Sequence, residues 1–306
     1  MKVLFVSSGN SKNIISPIIK AQGESLIEAG VELDYFSIIG KGYFGYFKSV
    51  VLLKKHLRNH HYDIVHAHYS FSGFCATMAG AKNLVVSLMG SDVHQSVLFA
   101  NIIRLFSNHI WKSTIVKSLE MRDKLDLKEV HVIPNGVCFD NFMPIEKETA
   151  QGKVNFYPEF KYIIFVSNPA RPEKNFNLAL SAVEKLNNSS VKLHAVYDVP
   201  HQEIVNYMYA ADVLILTSMW EGSPNVIKEA MACNCPIVSV GVGDVENVIK
   251  NVEGCYISTF EPSDIADKLQ KAFEFGKRTE GRKRIVELGL DSETVAKRVL
   301  EIYNSI

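Results

Sequence analysis

Short apolar runs alternate with longer amphipathic segments along most of the chain, and this alternation constrains the possible folds more than any other feature. In the first half, the runs that we predict to be strands are Val3–Val6, Glu32–Ile38, Asp63–His68, Leu84–Leu88, Thr114–Lys117 and Val130–Ile133. Strands that are apolar throughout, rather than at every second residue, are buried on both faces, as in a parallel sheet covered by helices. The pattern predicts a doubly wound α/β domain.

The alternation stops after residue 136 and starts again near Tyr162. The intervening Phe139–Pro158 is polar and has no sustained period, which predicts an interdomain linker. The second set of predicted strands is Tyr162–Val166, Val191–Val196, Val213–Ser218, Pro236–Ser239 and Gly254–Ile257. We therefore predict Rossmann-like domains at residues 1–150 and 151–290, followed by a helix at 291–306 that packs back on the first domain.

Ligands of open α/β sheets bind outside the carboxyl ends of the strands. Two such domains placed face to face would form a cleft between these ends. The chemistry of this chain is therefore expected at the ends of its strands.

Composition excludes several classes of protein. The chain has 33 Lys plus Arg and 33 Asp plus Glu, so it lacks the basic field of duplex-binding proteins, and we predict no nucleic-acid partner. Its five cysteines are an odd set in apolar stretches, which indicates buried thiols rather than a disulfide framework. The apolar run at the N-terminus is too short for a signal peptide, and no later run approaches about 20 residues. We expect a cytoplasmic protein, or one peripheral on the cytoplasmic face of the membrane.

A turn after the predicted strand Val213–Ser218 carries the strongest candidate site. It contains Gly222, Ser223, Pro224 and Asn225 and leads into a helical segment. Free N–H groups at such a helix start, with hydroxyl and amide groups beside them, favour an anion such as a diphosphate.

Two carboxylates accompany this turn: Glu221 precedes the helix and Glu229 lies within it. Carboxylates accept hydrogen bonds from paired sugar hydroxyls, so one can face a sugar and the other a ribose. The alternative is that Glu221 complements the helix dipole and Glu229 is a solvated surface side chain.

Two cations, Arg171 and Lys174, follow the predicted strand Tyr162–Val166. They could neutralise a diphosphate leaving group. In the alternative, they belong to a solvated loop, although a lysine at a helix start opposes the helix dipole.

The chain resembles retaining glycosyltransferase family four. The motifs that carry the resemblance are Glu221-x7-Glu229 followed by Ala-Met-Ala, Val132-Ile-Pro-Asn-Gly-Val137, and Ile164-Phe-Val-Ser-Asn-Pro-Ala-Arg171-Pro-Glu-Lys174-Asn. Within the family, the chain looks most similar to the glycosyltransferases of teichuronic acid and surface polysaccharide synthesis. The resemblance implies a GT-B fold, a donor site that includes Asn168, and an N-terminal loop at Gly9 that approaches the donor phosphate.

The first predicted domain would then bind the acceptor. His66 and His68 lie at alternate positions of one strand and therefore on one face, and the resemblance implies that they border the acceptor pocket. Asp92 and His94 follow the next strand, where they could bind acceptor or sugar hydroxyls; we assign Asp92 to the catalytic group. Zinc binding by His66 and His68 is an alternative, but no third ligand is evident and a packed histidine is more common.

Residues 41–58 combine basic and aromatic side chains with no acid before Asp63. This segment could contact anionic lipid, or it could be an ordinary helix with a basic outer face and an aromatic inner face.

The sequence thus predicts a retaining glycosyltransferase that moves a sugar from a nucleoside diphosphate donor, a UDP- or GDP-sugar, to a glycan or lipid-linked glycan. We expect no other cofactor and no metal ion. The alternatives are an epimerase or hydrolase of sugar nucleotides on the same fold, and a sugar-nucleotide-binding subunit without activity.

Overall fold

The chain forms two α/β units. The computed structural model describes residues 1–10, 14–40, 42–94 and 96–306, with the side chains of all of these except 42–44, 93 and 94. Unit 1 comprises Met1–Gly136 and Ser292–Ile306, and unit 2 comprises Val137–Asp291.

Unit 1 is built on a six-stranded sheet in the order β2-β1-β3-β4-β5-β6, and all its strand pairs are parallel. Its strands are β1 Lys2–Ser8, β2 Glu32–Ile38, β3 Ile64–His68, β4 Leu84–Ser87, β5 Ser113–Val116 and β6 His131–Val132. Its helices are α1 Pro17–Glu28, α2 Gly42–Asn59, α3 Ser70–Ala79, α4 Val97–His109, α5 Leu119–Leu125 and the C-terminal α13 Ser292–Asn304.

Unit 2 has a five-stranded parallel sheet in the order β11-β10-β9-β7-β8. Its strands are β7 Lys161–Phe165, β8 Val191–Ala195, β9 Val213–Leu216, β10 Ile237–Val240 and β11 Cys255–Ser258. Its helices are α6 Lys147–Val154, α7 Phe176–Lys185, α8 Ile204–Ala210, α9 Asn225–Ala232, α10 Val245–Ile249, α11 Pro262–Phe275 and α12 Gly281–Glu287.

Each sheet separates two apolar clusters, which explains why its strands are apolar throughout. In β1, Val3 and Phe5 join the cluster that also contains residues of α1 and α13, whereas Leu4 and Val6 join the cluster beneath α2 to α5. Because successive strand side chains point to opposite faces, burial on both faces requires apolar residues at every position. The predicted doubly wound arrangement is confirmed for both units.

The stretch Phe139–Pro158 is not a linker, and the first unit ends at Gly136 rather than at residue 150. This stretch contains α6, and Phe142, Ala150 and Phe156 are buried in a core cluster of unit 2. The partly buried Phe139, Ile145 and Val154 pack against the same cluster. The sequence pattern missed this because these anchoring side chains are irregularly spaced and produce no period.

The C-terminal helix α13 belongs to unit 1. Val295, Val299 and Tyr303 are buried in the same cluster as strand residues of the first sheet. Arg298 donates a hydrogen bond to the carbonyl of Val132 at 2.8 Å. Packing against this sheet face and α1 therefore holds the end of the chain.

The five cysteines are free thiols; Cys75, Cys233 and Cys235 are buried, and the other two are half-buried. Burial raises the pKa of Cys75 to about 11. Such thiols are weak nucleophiles, as expected for packed cysteines.

Two helical glycines should respond oppositely to alanine. A Cβ on Gly281 would lie 2.8 Å from the carbonyl oxygen of Met231 and 2.9 Å from its Cα, whereas a Cβ on Gly152 would meet nothing within 4 Å. We expect Gly281→Ala to destabilise the protein by about 1–3 kcal/mol through overpacking. Gly152→Ala should stabilise it by up to about 1 kcal/mol because alanine favours the helix. Urea unfolding of both variants measures the difference, and equal effects would contradict the packing at Gly281.

Candidate functional site

Three neighbouring strands of unit 2, β7, β9 and β10, bring their carboxyl-end loops together. Thr217, just after β9, donates from its hydroxyl to the carbonyls of Lys174 at 3.1 Å and Asn175 at 3.0 Å. The N–H of Met219 donates to the carbonyl of Glu173 at 2.9 Å. The loop after β9 therefore fixes the backbone that carries Lys174.

Lys174 and Glu221 form an ion pair at this edge, in which the Lys174 ammonium donates to Oε1 of Glu221. Only 18% of the Lys174 side chain and 15% of the Glu221 side chain are exposed. A largely desolvated pair of this kind orients both groups and leaves further capacity on each for a ligand.

Arg171 and Asn168 lie on the same loop but make local contacts. The Arg171 guanidinium donates to Oε1 of Glu173 at 2.6 and 2.9 Å, and its side chain is 55% exposed. The Oδ1 of Asn168 accepts from the N–H of Ala170 at 2.9 Å and so closes a turn. The structure thus brings Lys174, rather than Arg171, to Glu221.

The turn before α9 is buried and packs closely against the loop after β10. Gly222, Ser223 and Pro224 are buried, and Asn225 begins the helix. A Cβ on Gly243, which has a φ of +59°, would lie 2.6 Å from the carbonyl oxygen of Gly222. Only glycine allows the loop after β10 to approach the turn this closely.

The Ser223 hydroxyl is engaged inside the protein. It donates to Oδ2 of Asp244 at 2.6 Å and accepts from the Lys228 ammonium at 2.9 Å. Burial lowers the pKa of Lys228 to about 8, and burial also raises the pKa of Asp244. Ser223 therefore links two buried charges, and its side chain supports the turn.

Sequence reasoning missed Lys228 and Asp244. The available signal was a lysine within Val226–Cys233, where the neighbouring Ile227 and Ala230 are apolar and are buried in the structure. A buried charge requires a partner, but the partner, Asp244, follows a different strand and no sequence period connects the two.

Glu229 is paired with a histidine that was also missed. Its Oε1 accepts from Nε2 of His201 at 2.8 Å, and 12% of the Glu229 side chain is exposed. The hydrogen bond that His201 donates to Glu229 raises the pKa of His201 above its ordinary value. Glu229 is thus not a solvated surface side chain, which was the alternative to a ligand role.

In unit 1, His66 and His68 share a face as predicted, with ring centroids 4.4 Å apart, but both are buried. His66 bonds to the Tyr303 hydroxyl at 2.5 Å and the Ser87 hydroxyl at 2.8 Å. Burial, together with the charge of Lys117, lowers the pKa of His68 to about 3. Both histidines are therefore buried and neutral, and their assignment to the border of an acceptor pocket stays a prediction.

Asp92 is also fully buried, and it accepts from the N–H and hydroxyl of Ser70 and from the N–H of Met89. Burial raises the pKa of Asp92 to about 6. Its carboxylate joins the loops after β3 and β4 rather than facing solvent, and its assignment as a group that binds hydroxyls stays a prediction. The side chain of His94 lies outside the described residues, although its backbone is in the 3₁₀ turn Gly90–His94.

Gly9 follows β1 and packs closely against β2. A Cβ at this position would lie 2.8 Å from Cβ of Ser37, so close packing alone requires glycine here. The side-chain amide of the next residue, Asn10, donates to the carbonyl of Gly40 and accepts from the N–H of Gly40, both at 2.8 Å. Among the described residues, no cluster of three or more His, Cys, Asp or Glu side chains could hold a metal ion.

Both units match described protein families. Residues 21–141 match Glycosyltransferase Family 4, and residues 195–274 match Glycosyl transferases group 1. A Bacillus subtilis protein named for teichuronic acid biosynthesis, TuaC, is 26% identical over 251 residues, which cover 73% of this chain and 64% of the relative. The UDP-Gal:alpha-D-GlcNAc-diphosphoundecaprenol alpha-1,3-galactosyltransferase of Escherichia coli is 24% identical over 250 residues, covering 67% and 64%. The alignments thus span less than two thirds of these relatives' own length.

Solved structures share the fold over nearly the whole chain. Sucrose-phosphate synthase from Thermosynechococcus elongatus superposes with a TM-score of 0.80 at 16% identity, covering 99% of this chain and 98% of that one. Anabaena HepE in complex with UDP and glucose superposes with a TM-score of 0.75 at 15% identity, covering 100% of both chains.

The fold is that of the GT-B glycosyltransferases, with two parallel-sheet α/β domains. The chain carries one domain that matches Glycosyltransferase Family 4 and one that matches Glycosyl transferases group 1, and its relatives include proteins named for teichuronic acid biosynthesis and for a sugar on diphosphoundecaprenol.

Substitutions of the two buried charges next to the turn before α9, Lys228 and Asp244, should have strongly coupled effects on the free energy of unfolding. Lys228→Met would leave Asp244 buried without its cation, and we expect a loss of about 3–5 kcal/mol in the free energy of unfolding. Adding Asp244→Asn should restore much of this loss because the uncompensated charge disappears. Urea unfolding of the two single variants and the double variant measures the coupling. Additive losses would contradict the Lys228–Ser223–Asp244 arrangement.

The pair of His201 and Glu229 should give a pH-dependent stability. Because the pKa of His201 is raised on folding, the pair stabilises the protein fully below about pH 6.5, the ordinary histidine pKa. This contribution is lost as the pH rises through the higher pKa of the folded state. We expect His201→Gln to destabilise the protein by about 1 kcal/mol or less at pH 6 and by little at pH 8.5, measured by urea unfolding. A difference that does not change with pH would argue against the pair.

Proposed function

We propose that this protein transfers a sugar from a nucleoside diphosphate sugar to a glycan acceptor, with retention of the anomeric configuration. The observation that carries the proposal is the ion pair of Lys174 and Glu221 beside the start of α9. A cation and the free N–H groups of a helix start bind a diphosphate, and the adjacent carboxylate accepts hydrogen bonds from sugar hydroxyls.

The donor would bind along the carboxyl edge of the second sheet. Lys174 would turn from Glu221 towards the diphosphate, while Glu221 accepts from the transferred sugar and Glu229 accepts from the ribose. Gly222 and Asn225 would offer backbone N–H groups, and Arg171 would reach the phosphates after leaving Glu173. The likeness to HepE, whose structure contains UDP and glucose, supports a UDP-sugar, and a GDP-sugar is the other candidate.

The chemistry needs little covalent help from the protein because the nucleoside diphosphate is a good leaving group. The acceptor oxygen forms a bond to the anomeric carbon, the bond from that carbon to the diphosphate oxygen breaks, and the acceptor proton passes to a departing phosphate oxygen. Both events occur on one face of the sugar, which retains the configuration. Lys174 would stabilise the charge that develops on the diphosphate. No other cofactor or metal ion enters the proposal.

We infer that the acceptor is a lipid-linked glycan used in surface polysaccharide synthesis. The Escherichia coli relative is named for a sugar on diphosphoundecaprenol, and the Bacillus subtilis relative is named for a surface polymer. No helix in the described part of the chain is long and apolar enough to cross a membrane. A lipid-linked acceptor would instead require peripheral contact, for which the basic segment at residues 41–58 is the first candidate.

Product analysis tests this function. The protein is incubated with UDP- and GDP-sugars and an undecaprenyl-diphosphate-linked acceptor, and the products are identified by mass spectrometry and by the anomeric signals in NMR. We expect sugar transfer to the acceptor with the donor's configuration. Release of free sugar, an isomerised nucleotide sugar, or binding without conversion would each overturn the proposal.

One cation variant, at Lys174, and one carboxylate variant, at Glu229, separate the proposed roles. Lys174→Ala should lower kcat by about 100-fold or more with a smaller change in the donor KM, because it acts on charge that develops in the transition state. Glu229→Ala should chiefly raise the donor KM, because ribose contacts are equal in the ground and transition states. Steady-state kinetics with saturating acceptor measures both constants. Lys185→Ala, on the exposed face of α7, serves as the control, and unchanged kinetics in either test variant would refute its assigned role.

A further inference from the structure

Helices α2, α3 and α4 form one layer over the first sheet. All three contribute side chains to the same apolar cluster, which lies on the sheet face opposite α1 and α13. Phe71 at the start of α3 contacts Tyr46 of α2 with ring centroids 5.5 Å apart, and Phe99 of α4 at 5.0 Å. The sides of these helices that point away from the sheet form a continuous surface, which we call the outer helical face.

On this face, α4 exposes apolar side chains. Ile103 is buried towards the sheet, yet Val97, Leu98 and Leu105 are 80%, 72% and 54% exposed. A surface helix of a water-soluble domain normally carries polar residues on its outer side. The outer side of α4 thus presents Leu98 and Leu105 beside the exposed Asn101 and Asn108, and is more apolar than a solvated helix surface requires.

The apolar exposure continues on the neighbouring helices. Phe47 and Val51 of α2 are 71% and 59% exposed, and Met78 of α3 is also exposed. Phe47, Val97 and Leu98 lie in the first two turns of their helices, which follow the carboxyl ends of β2 and β4. These three side chains therefore lie near the edge of the sheet where ligands of such domains bind, whereas Val51, Met78 and Leu105 lie further along their helices.

The charge on this layer has one sign. Residues 35–119 contain nine Lys and Arg but only two acids, Asp63 and Asp92. Asp92 is buried, and Asp63 precedes β3 at the opposite edge of the sheet, where it accepts from the N–H of Lys2 at 2.7 Å. No acidic side chain therefore lies on α2, α3 or α4.

In the described part of this layer, the exposed cations that have no acidic partner lie on α2. Lys48, Lys54, Lys55 and Arg58 are exposed, and among the described residues none of the four lies in an ion pair with a carboxylate. Arg104 of α4 is already paired with Asp126 at 3.6 Å. The outer helical face thus combines protruding apolar side chains with uncompensated positive charge.

We propose that the outer helical face binds the surface of an anionic lipid bilayer, with its apolar side chains inserted among the acyl chains and its α2 lysines at the headgroups. This combination is what interfacial helices use to bind negatively charged membranes. A second copy of the chain fits less well, because a symmetric contact would bring the same cations together without an acid to compensate them. The proposal deepens the proposed function, since a lipid-linked acceptor would be presented at this surface.

Vesicle flotation of the full chain, without donor or acceptor, tests the proposal. We expect binding to vesicles of phosphatidylglycerol and phosphatidylcholine, little binding to phosphatidylcholine alone, and weaker binding at high salt. Leu98→Ser with Leu105→Ser, and separately Lys54→Glu with Lys55→Glu, should each lower the affinity about tenfold or more.

Matched controls lie in unit 2. Leu180→Ser removes an exposed leucine from α7, and Lys185→Glu with Lys271→Glu reverses two exposed charges. These variants should bind vesicles like the wild type, and circular dichroism verifies that every variant is folded.

Several results would overturn the inference: no binding of the wild type to anionic vesicles, equal binding by all folded variants, or a dimer in sedimentation that Leu98→Ser with Leu105→Ser dissociates. Flotation needs no catalysis, so its outcome is independent of the transfer assay. Vesicle binding without sugar transfer would refute the proposed function alone, and transfer to a soluble acceptor without vesicle binding would refute this inference alone.

Discussion

Burial of both faces of two parallel sheets is the constraint on which the other features of this protein depend. Strands such as β1, in which Val3 to Val6 are all fully buried, leave no position for a functional side chain within the strand. Polar groups can therefore reach a ligand only from the loops at strand ends. In unit 2, neighbouring strands β7, β9 and β10 place three such loops side by side. Hydrogen bonds from Thr217 and Met219 join the loop after β9 to the loop after β7, and the bond from Ser223 to Asp244 joins it to the loop after β10.

The candidate donor site rests on charges that are removed from water. Lys174 with Glu221, and Lys228 with Asp244 through Ser223, occupy two sides of the same turn. Burying a charge is costly unless a partner of opposite charge is present. The two charges of each pair therefore stay together instead of turning separately into solvent. The first pair is partly exposed, so in the proposed function Lys174 would exchange Glu221 for the diphosphate, whereas Lys228 is buried and supports the turn.

The polar residues of unit 1 have a different role. His66, His68 and Asp92 lie in the interior, where His66 and Asp92 join strands, loops and the C-terminal helix through hydrogen bonds. The exposed chemistry of this unit is instead on its helices, where apolar and basic side chains share the outer face of α2 to α4. The core of unit 1 is otherwise apolar, as in most α/β domains, but the outer face of α2 to α4 carries cations without acids.

The sequence by itself determined the fold class, the strands and the main candidate turn. Apolar runs and a Gly-Ser-Pro-Asn segment are local patterns, and β/α alternation leaves few ways to bury them, so the sequence alone places Glu221 and Lys174 at the ends of strands. Only the tertiary structure decided which polar residues are buried and which remain partly exposed. The sequence predicts His66 and Asp92 as site residues because they lie at or after the ends of strands. Their burial depends on α13 and on loops that are distant in sequence. The same holds for two pairs, Lys228 with Asp244 and His201 with Glu229. The two partners of each pair lie on different segments of the chain, and contacts between distant segments leave no periodic pattern in the sequence.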